Sequence, residues 1–211
     1  MRVLALDTST RAASCAIVEN GRLLGEFYTD FKLKHSEKLL NILEHLLNDT
    51  RLTKREIYIL ALNAGPGSVT GLRIGSATAK AFAHALGLKI APISCLEATA
   101  FQQTYFGGLI CPIFDAQQGN VYAAAFDFRG TRMRRLYRDS AVSLREILMR
   151  LPNTEEILFC GDAVAKYKET VDEIIGERAL YATPLTMLPH ASSIALMAYE
   201  ARDEMAFAEY G

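Results

Sequence analysis

Several features that would announce a function are missing from this 211-residue sequence. Net charge is nearly absent: 23 Lys and Arg stand against 24 Asp and Glu, giving −1, so no global field gathers nucleic acid. Any RNA contact has to be local or made through a partner. Only four cysteines occur, Cys15, Cys95, Cys111 and Cys160, scattered singly, with neither a C-x-x-C pair nor the density of a disulfide scaffold. That usage suits a reducing compartment. No apolar run approaches the ~18 residues that span a bilayer, and the run from Met1 to Asp7 is too short for a signal peptide. The expectation is a soluble, cytoplasmic protein without a membrane partner.

What is present is enough apolar material, 50% of the residues, to bury a full core. Apolar runs at 2–6, 14–18 and 22–28, the last two joined by Asn20-Gly21, predict a three-strand meander. Helical spacing then takes over from Ser36 to Asn48, with Leu39, Leu40, Ile42, Leu43, Leu46 and Leu47 covering an arc of about 160°, wider than one sheet requires. A strand at 57–64 leads through a glycine-rich segment into a helix from about Leu72 to Leu86, closed by Gly87. Gly75, Ala79 and Ala83 fall four apart on that helix, and a helical glycine costs about 1 kcal/mol against alanine, so the stripe predicts close approach of another backbone. Phe82 lies beside it. A strand at 89–93 and a helix at 94–105 follow, and Gly107-Gly108 is the natural hinge. A second series of strands (109–114, 120–128, 132–137), a short helix (143–151), a strand (156–160), helical residues 171–175 and a closing helix at 191–206 complete the chain. The pattern predicts an α/β protein of two lobes, residues 1–106 and 107–211, the first reading β-β-β-α-β-α-β-α. That is the outline of the actin, sugar-kinase and Hsp70 superfamily.

Candidate chemistry is thin. Asp7-Thr8-Ser9-Thr10 ends the first strand, where hydroxyls and N–H groups can receive a phosphate and Asp7 a metal-bound water, or where Asp7 and Ser9 simply bond the turn. No glycine between Thr8 and Ala13 lets a backbone approach a phosphate. Gly65-Pro66-Gly67-Ser68-Val69-Thr70-Gly71, before a helix N-terminus, reads either as an anion site or as a tight turn that seats the helix. It lacks the lysine of a Walker loop, because Leu72 follows Gly71. Asp7, Ser9, Gly67 and Ser68 are therefore weak nucleotide candidates, and no cofactor is expected. At His35-Ser36-Glu37-Lys38-Leu39 the i+4 position of a two-histidine metal site is leucine, so no metal site closes on that helix. The arginines at 129, 132, 134, 135 and 138 gather around a hairpin, where they either touch phosphates or keep a strand edge charged.

Leu4-Ala5-Leu6-Asp7-Thr8-Ser9-Thr10, His35-Ser36-Glu37 with Leu39-Leu40, and the segment from Gly65 to Gly75 occur in the order and spacing of the TsaB (YeaZ) family, which the chain resembles over its whole length. The resemblance implies an actin-like fold and a non-catalytic role. The chain would hold and activate the catalytic relative TsaD, which binds a metal through an H-x-x-x-H pair, in forming N6-threonylcarbamoyladenosine at position 37 of tRNAs reading ANN codons. Of that pair this sequence keeps His35 and carries Leu39. It further implies the ATPase TsaE as a partner, tRNA met through the complex, and pairing through first-lobe helices, here Leu39, Ile42, Leu43, Leu46, Gly75, Ala79, Phe82 and Ala83; in the absence of TsaD the sequence leaves homodimer and monomer as alternatives. The chain departs from the family's pattern in having Val69 where phenylalanine is usual and uncharged residues at 116–120. The competing readings are a free-standing actin-like ATPase or phosphotransferase on Asp7, Ser9 and the glycine-rich segment, and a metallopeptidase.

Overall fold

The computed structural model describes residues 1–30 and 35–204, the side chains of 35–38 excepted. Two five-stranded sheets organise it. In the first, β1 (Arg2–Asp7), β2 (Ala13–Glu19) and β3 (Arg22–Thr29) form the antiparallel meander, and β4 (Ile59–Asn63) and β5 (Lys89–Ile93) add in parallel on the other side of β1, in the order β3-β2-β1-β4-β5. Asn20 and Gly21 both take positive φ, 49° and 81°, as the two-residue hairpin turn between β2 and β3 demands. The second sheet repeats this plan from unrelated sequence. There β6 (Leu109–Asp115), β7 (Asn120–Arg129) and β8 (Arg132–Ser143) make the meander, and β9 (Ile157–Cys160) and β10 (Ala179–Tyr181) join in parallel, in the order β10-β9-β6-β7-β8. The meander plus parallel crossover, made twice, is the expected actin-like outline.

Packing divides the chain into one unit of 1–98 with 190–211 and another of 99–189. The first half of the chain keeps the element order read from the sequence, but the helix expected from Leu72 begins at Val69 and the one expected to reach residue 105 ends at Phe101. Helices α1 (His35–Asp49) and α2 (Val69–Leu86) cover one face of the first sheet, and α3 (Cys95–Phe101) follows β5. In the second unit, α4 (Leu144–Arg150) and α5 (Val164–Ile175) pack on the second sheet. The last helix, α6 (Ala191–Glu200), lies with the first unit although the sequence places it among residues 107–211. It buries Ala191, Ile194, Ala195 and Ala198 on Val3, Ala5, Ala16 and Val18, the face of the first sheet opposite α1 and α2. Small residues on both surfaces let helix and sheet approach closely. Sequence distance gave no hint of this return.

Two local readings change. A Cβ on Gly108 would collide with the carbonyl oxygen of Glu156, so this glycine, read only as part of a hinge, also admits β9 beside β6. Strand β10 escapes sequence reading because three residues are too few to show a period. Of the closing helix read at 191–206, residues 205 and 206 lie outside the described residues. Among the described residues no helix is long and apolar enough to cross a membrane.

Candidate functional site

The weak nucleotide candidates converge, and they do so on one another. Asp7 ends β1 almost wholly buried, and its Oδ1 accepts the Ser9 N–H at 3.0 Å. Among the described residues no hydrogen bond within 3.5 Å reaches its Oδ2, although Ser9 and Asn63 lie near enough to lower the pKa of the carboxyl. Ser9 Oγ accepts from Asn63 Nδ2 at 2.9 Å and lies 3.4 Å from Cys95 Sγ, while Asn63 Oδ1 takes the Gly65 N–H at 3.1 Å. Asn63 was not singled out in the sequence. A lone amide at the end of the apolar strand at 57–64 was the available signal, because a polar side chain there needs a buried partner.

The glycine-rich segment fits against this turn at van der Waals distance. Ser68 N donates to the Ser9 carbonyl at 2.7 Å, and Thr8 Oγ1 donates to the Gly71 carbonyl at 2.7 Å. A Cβ at Gly67 would meet the Ser9 carbonyl oxygen, one at Gly71 the Thr8 carbonyl oxygen, and one at Gly75 the Thr8 hydroxyl. Three glycines at four-residue spacing therefore answer to the backbone and side chain of residues 8 and 9. At the start of α2 the Ser68 hydroxyl caps the Gly71 N–H at 3.3 Å. Two N–H donors at this helix start, those of Ser68 and Gly71, are thus used inside the fold. Replacing Gly71 with alanine should destabilise the chain by a net ~1 to 2 kcal/mol, since the clash with Thr8 outweighs the roughly 1 kcal/mol alanine gains in a helix. An unchanged or raised melting temperature for that variant would show that the contact relaxes freely.

A second polar group sits at the start of α6. Glu26 accepts the Ser192 N–H and the Ser192 hydroxyl, each at 2.9 Å, and lies 3.3 Å from His190 Nδ1. The His190 ring stacks on Tyr28, centroids 4.3 Å apart. Burial works to raise the Glu26 carboxyl, but the bonds from His190 and Ser192 together outweigh it and hold its pKa below the usual value. The helix N-terminus is thereby fastened to β3 by a carboxylate. Burial alone pushes the Asp7 carboxyl up, to about 6, against the lowering effect of its bonds.

The residues expected to face a partner divide sharply. Leu39, Leu43 and Leu46 are buried in the core beneath α1 and α2, as are Ala79 and Ala83, and Gly75 meets Thr8. The small-residue stripe of α2 thus serves the chain's own sheet. Ile42 and Phe82 are half-buried at the margin of that core, with Lys54 Nζ 5.3 Å from the Phe82 ring centroid. The apolar side chains open to solvent on the described parts of these helices are Leu40 (53% exposed), Val69 (64%) and the alanines at 77, 81 and 85. His35, the first position of the two-histidine spacing, lies outside the residues whose side chains are described. Among the described residues no group of three His, Cys, Asp or Glu side chains is placed to hold a metal ion. All four cysteines are buried and none is in a disulfide, and burial pushes the Cys15 and Cys111 thiols up to about 12.

Comparison with known proteins places these features in context. The family described as TsaD, tRNA N6-adenosine threonylcarbamoyltransferase, matches residues 29–208. The tRNA threonylcarbamoyladenosine biosynthesis protein TsaB of Bacillus subtilis is 30% identical over 201 residues, 95% of this chain and 88% of that one. Among solved structures, YeaZ from Pseudomonas aeruginosa superposes with a TM-score of 0.83 at 25% identity, covering 98% of this chain and 95% of that one. The ethanolamine utilization protein EutJ of Carboxydothermus hydrogenoformans shares the fold alone, with a TM-score of 0.52 at 13% identity over 93% and 89% of the two chains. The actin-like fold is common to all of them.

Proposed function

The chain belongs to the TsaB (YeaZ) family and takes part in threonylcarbamoyladenosine modification of tRNA, and from that premise we propose that it is a non-catalytic subunit which binds and activates TsaD. The carrying observation is Leu39. In the two-histidine spacing of the catalytic relative this position would be the second metal ligand, and here it is a leucine 1% exposed in an apolar core. A metal ligand there would have to leave that core. The closed contact of Gly67, Gly71 and Gly75 with residues 8 and 9 supports the same reading, since it occupies the place where a phosphate would need backbone access.

The transfer chemistry then belongs to TsaD, and this chain contributes a surface. Leu40 and Val69 offer apolar anchors, and the exposed alanines at 77, 81 and 85 let a partner helix come close. In the absence of TsaD the same face is open to a second copy of the chain. TsaE and tRNA meet the assembled pair. Omitting this chain from a reconstituted reaction of TsaD, TsaE, threonylcarbamoyl-AMP and tRNA should abolish the modified nucleoside, and the chain should co-elute with TsaD on a sizing column. Ala81→Arg should weaken that complex at least tenfold without lowering the melting temperature of the lone chain. Turnover by this chain alone, or full TsaD activity without it, would refute the subunit role.

A phosphotransferase reading keeps one foothold, the Oδ2 of Asp7, which no hydrogen bond reaches among the described residues. Calorimetric titration of the lone chain with ATP and magnesium decides it, because micromolar binding would require the Gly67 and Gly71 contacts to open.

A further inference from the structure

We propose that the tip and edge of the β7–β8 hairpin form a contact surface for the phosphate backbone of tRNA, with Arg129, Arg132 and Arg138 as the contacting side chains. Residues 127–139 hold five arginines against two aspartates, a surplus of three positive charges on a chain whose total is −1. Two of the five are matched internally. Arg134 pairs with Asp127 across the hairpin, and Arg135 pairs with Asp139 while its guanidinium lies 5.0 Å from the centroid of the Phe126 ring. Arg129, Arg132 and Arg138 are exposed, and among the described residues no carboxylate forms an ion pair with them.

The register makes this arrangement costly in the free chain. Arg129 and Arg132 stand directly opposite one another across the turn, and like charges in that position repel. Charge on β8 alone would be accounted for by its place at the sheet edge, where arginine discourages pairing with other strands. Arg129 is on β7, an interior strand, so edge protection does not explain it. An anion at the tip would remove the repulsion. From Arg132 to Arg138 the strand runs about 20 Å, at roughly 3.4 Å per residue, enough to follow several consecutive phosphates. The guanidinium fork suits phosphate, and Phe128 and Tyr137 are half-buried, so the surface reads backbone rather than bases. An acidic protein would satisfy the same charges. The family's work on tRNA favours RNA, and the inference rests on that membership and not on how TsaD is held.

Fluorescence anisotropy of a labelled tRNA that reads an ANN codon, titrated with the full chain alone and with its TsaD complex from about 50 to about 200 mM salt, tests it. The triple variant R129Q/R132Q/R138Q should bind at least tenfold more weakly, and its slope of log affinity against log salt should fall by about 2 to 3. The corresponding triple lysine variant should keep most of the slope. Arg55→Gln, on the first unit, should leave both quantities unchanged, and an unaltered melting temperature shows that the triple variant is folded. Equal affinity and slope for wild type and triple variant overturn the proposal, as does the absence of salt-dependent binding by the wild type in both forms. Loss of TsaD affinity with tRNA binding intact would assign the surface to an acidic protein instead. Failure of the TsaD complex to form would leave the titration of the lone chain as the deciding measurement.

Discussion

Asp7→Asn should gain on the native chain by about 3 kcal/mol of folding stability between about pH 4 and about pH 8. Burial raises the Asp7 carboxyl from 3.8 to about 6 in the folded protein. Below pH 4 both folded and unfolded chains hold the proton, and the carboxyl carries no ionisation penalty. As pH rises from 4 towards 6 the unfolded chain releases the proton while the folded chain keeps it, so stability falls. Above 6 both are ionised, and the full cost remains of a buried carboxylate with one oxygen that no hydrogen bond reaches among the described residues. About two pH units at roughly 1.4 kcal/mol each give the stated difference. Asparagine keeps an oxygen for the Ser9 N–H and cannot ionise, so its own profile lacks this component. Urea unfolding of both proteins at one-unit pH steps measures the gap directly. A gap that stays constant with pH would mean that Asp7 is solvated or paired in the folded state.

Leucine at Ala79 or Ala83 should lower the stability of the lone chain by about 1 to 3 kcal/mol at each site, by overpacking. Both alanines are fully buried, in the core cluster that also holds Leu4, Leu6 and Leu60 of the sheet and Leu39 and Leu43 of α1. Leucine adds three carbons at a position with no exposed surface, and close-packed interiors transmit such strain. At about 2 to 4 °C per kcal/mol for a chain of this size, the melting temperature should drop by several degrees. The intrinsic affinity for TsaD of the fraction that remains folded should change little, whereas Ala81→Arg should do the reverse. If Ala79→Leu melts as the native chain does but loses its partner, the stripe faces outward on binding and α2 has to rotate or shift to expose it.

The meander at 2–29, the helices at 35–49 and 69–86 and the strand at 89–93 were legible because their apolar periods are long and Asn20-Gly21 and Gly87 mark boundaries, although the second helix was placed three residues late because Ser68 was read as part of the glycine-rich segment. Gly87 caps α2 in the left-handed region at φ 66°, as its place in the sequence suggests. The wide arc of α1 was also real, but its surplus amounts to Leu40 and part of Ile42, since Leu39, Leu43, Leu46 and Leu47 all face the core. Periodicity states how much apolar surface a helix carries. It does not state which neighbour covers it.

The sequence by itself determined the family, the order of the first lobe's elements and the loss of the second histidine at Leu39, because each is written in adjacent residues at fixed spacing. Only the tertiary structure decided that Gly67, Gly71 and Gly75 are spaced for Thr8 and Ser9, that Asn63 and Cys95 close the same turn, and that α6 returns to the first sheet. Those contacts join residues tens to nearly two hundred positions apart, and a small residue is compatible with any close neighbour. Which neighbour arrives is fixed by the packing of whole sheets and helices, where the removal of apolar surface from water outweighs any local preference.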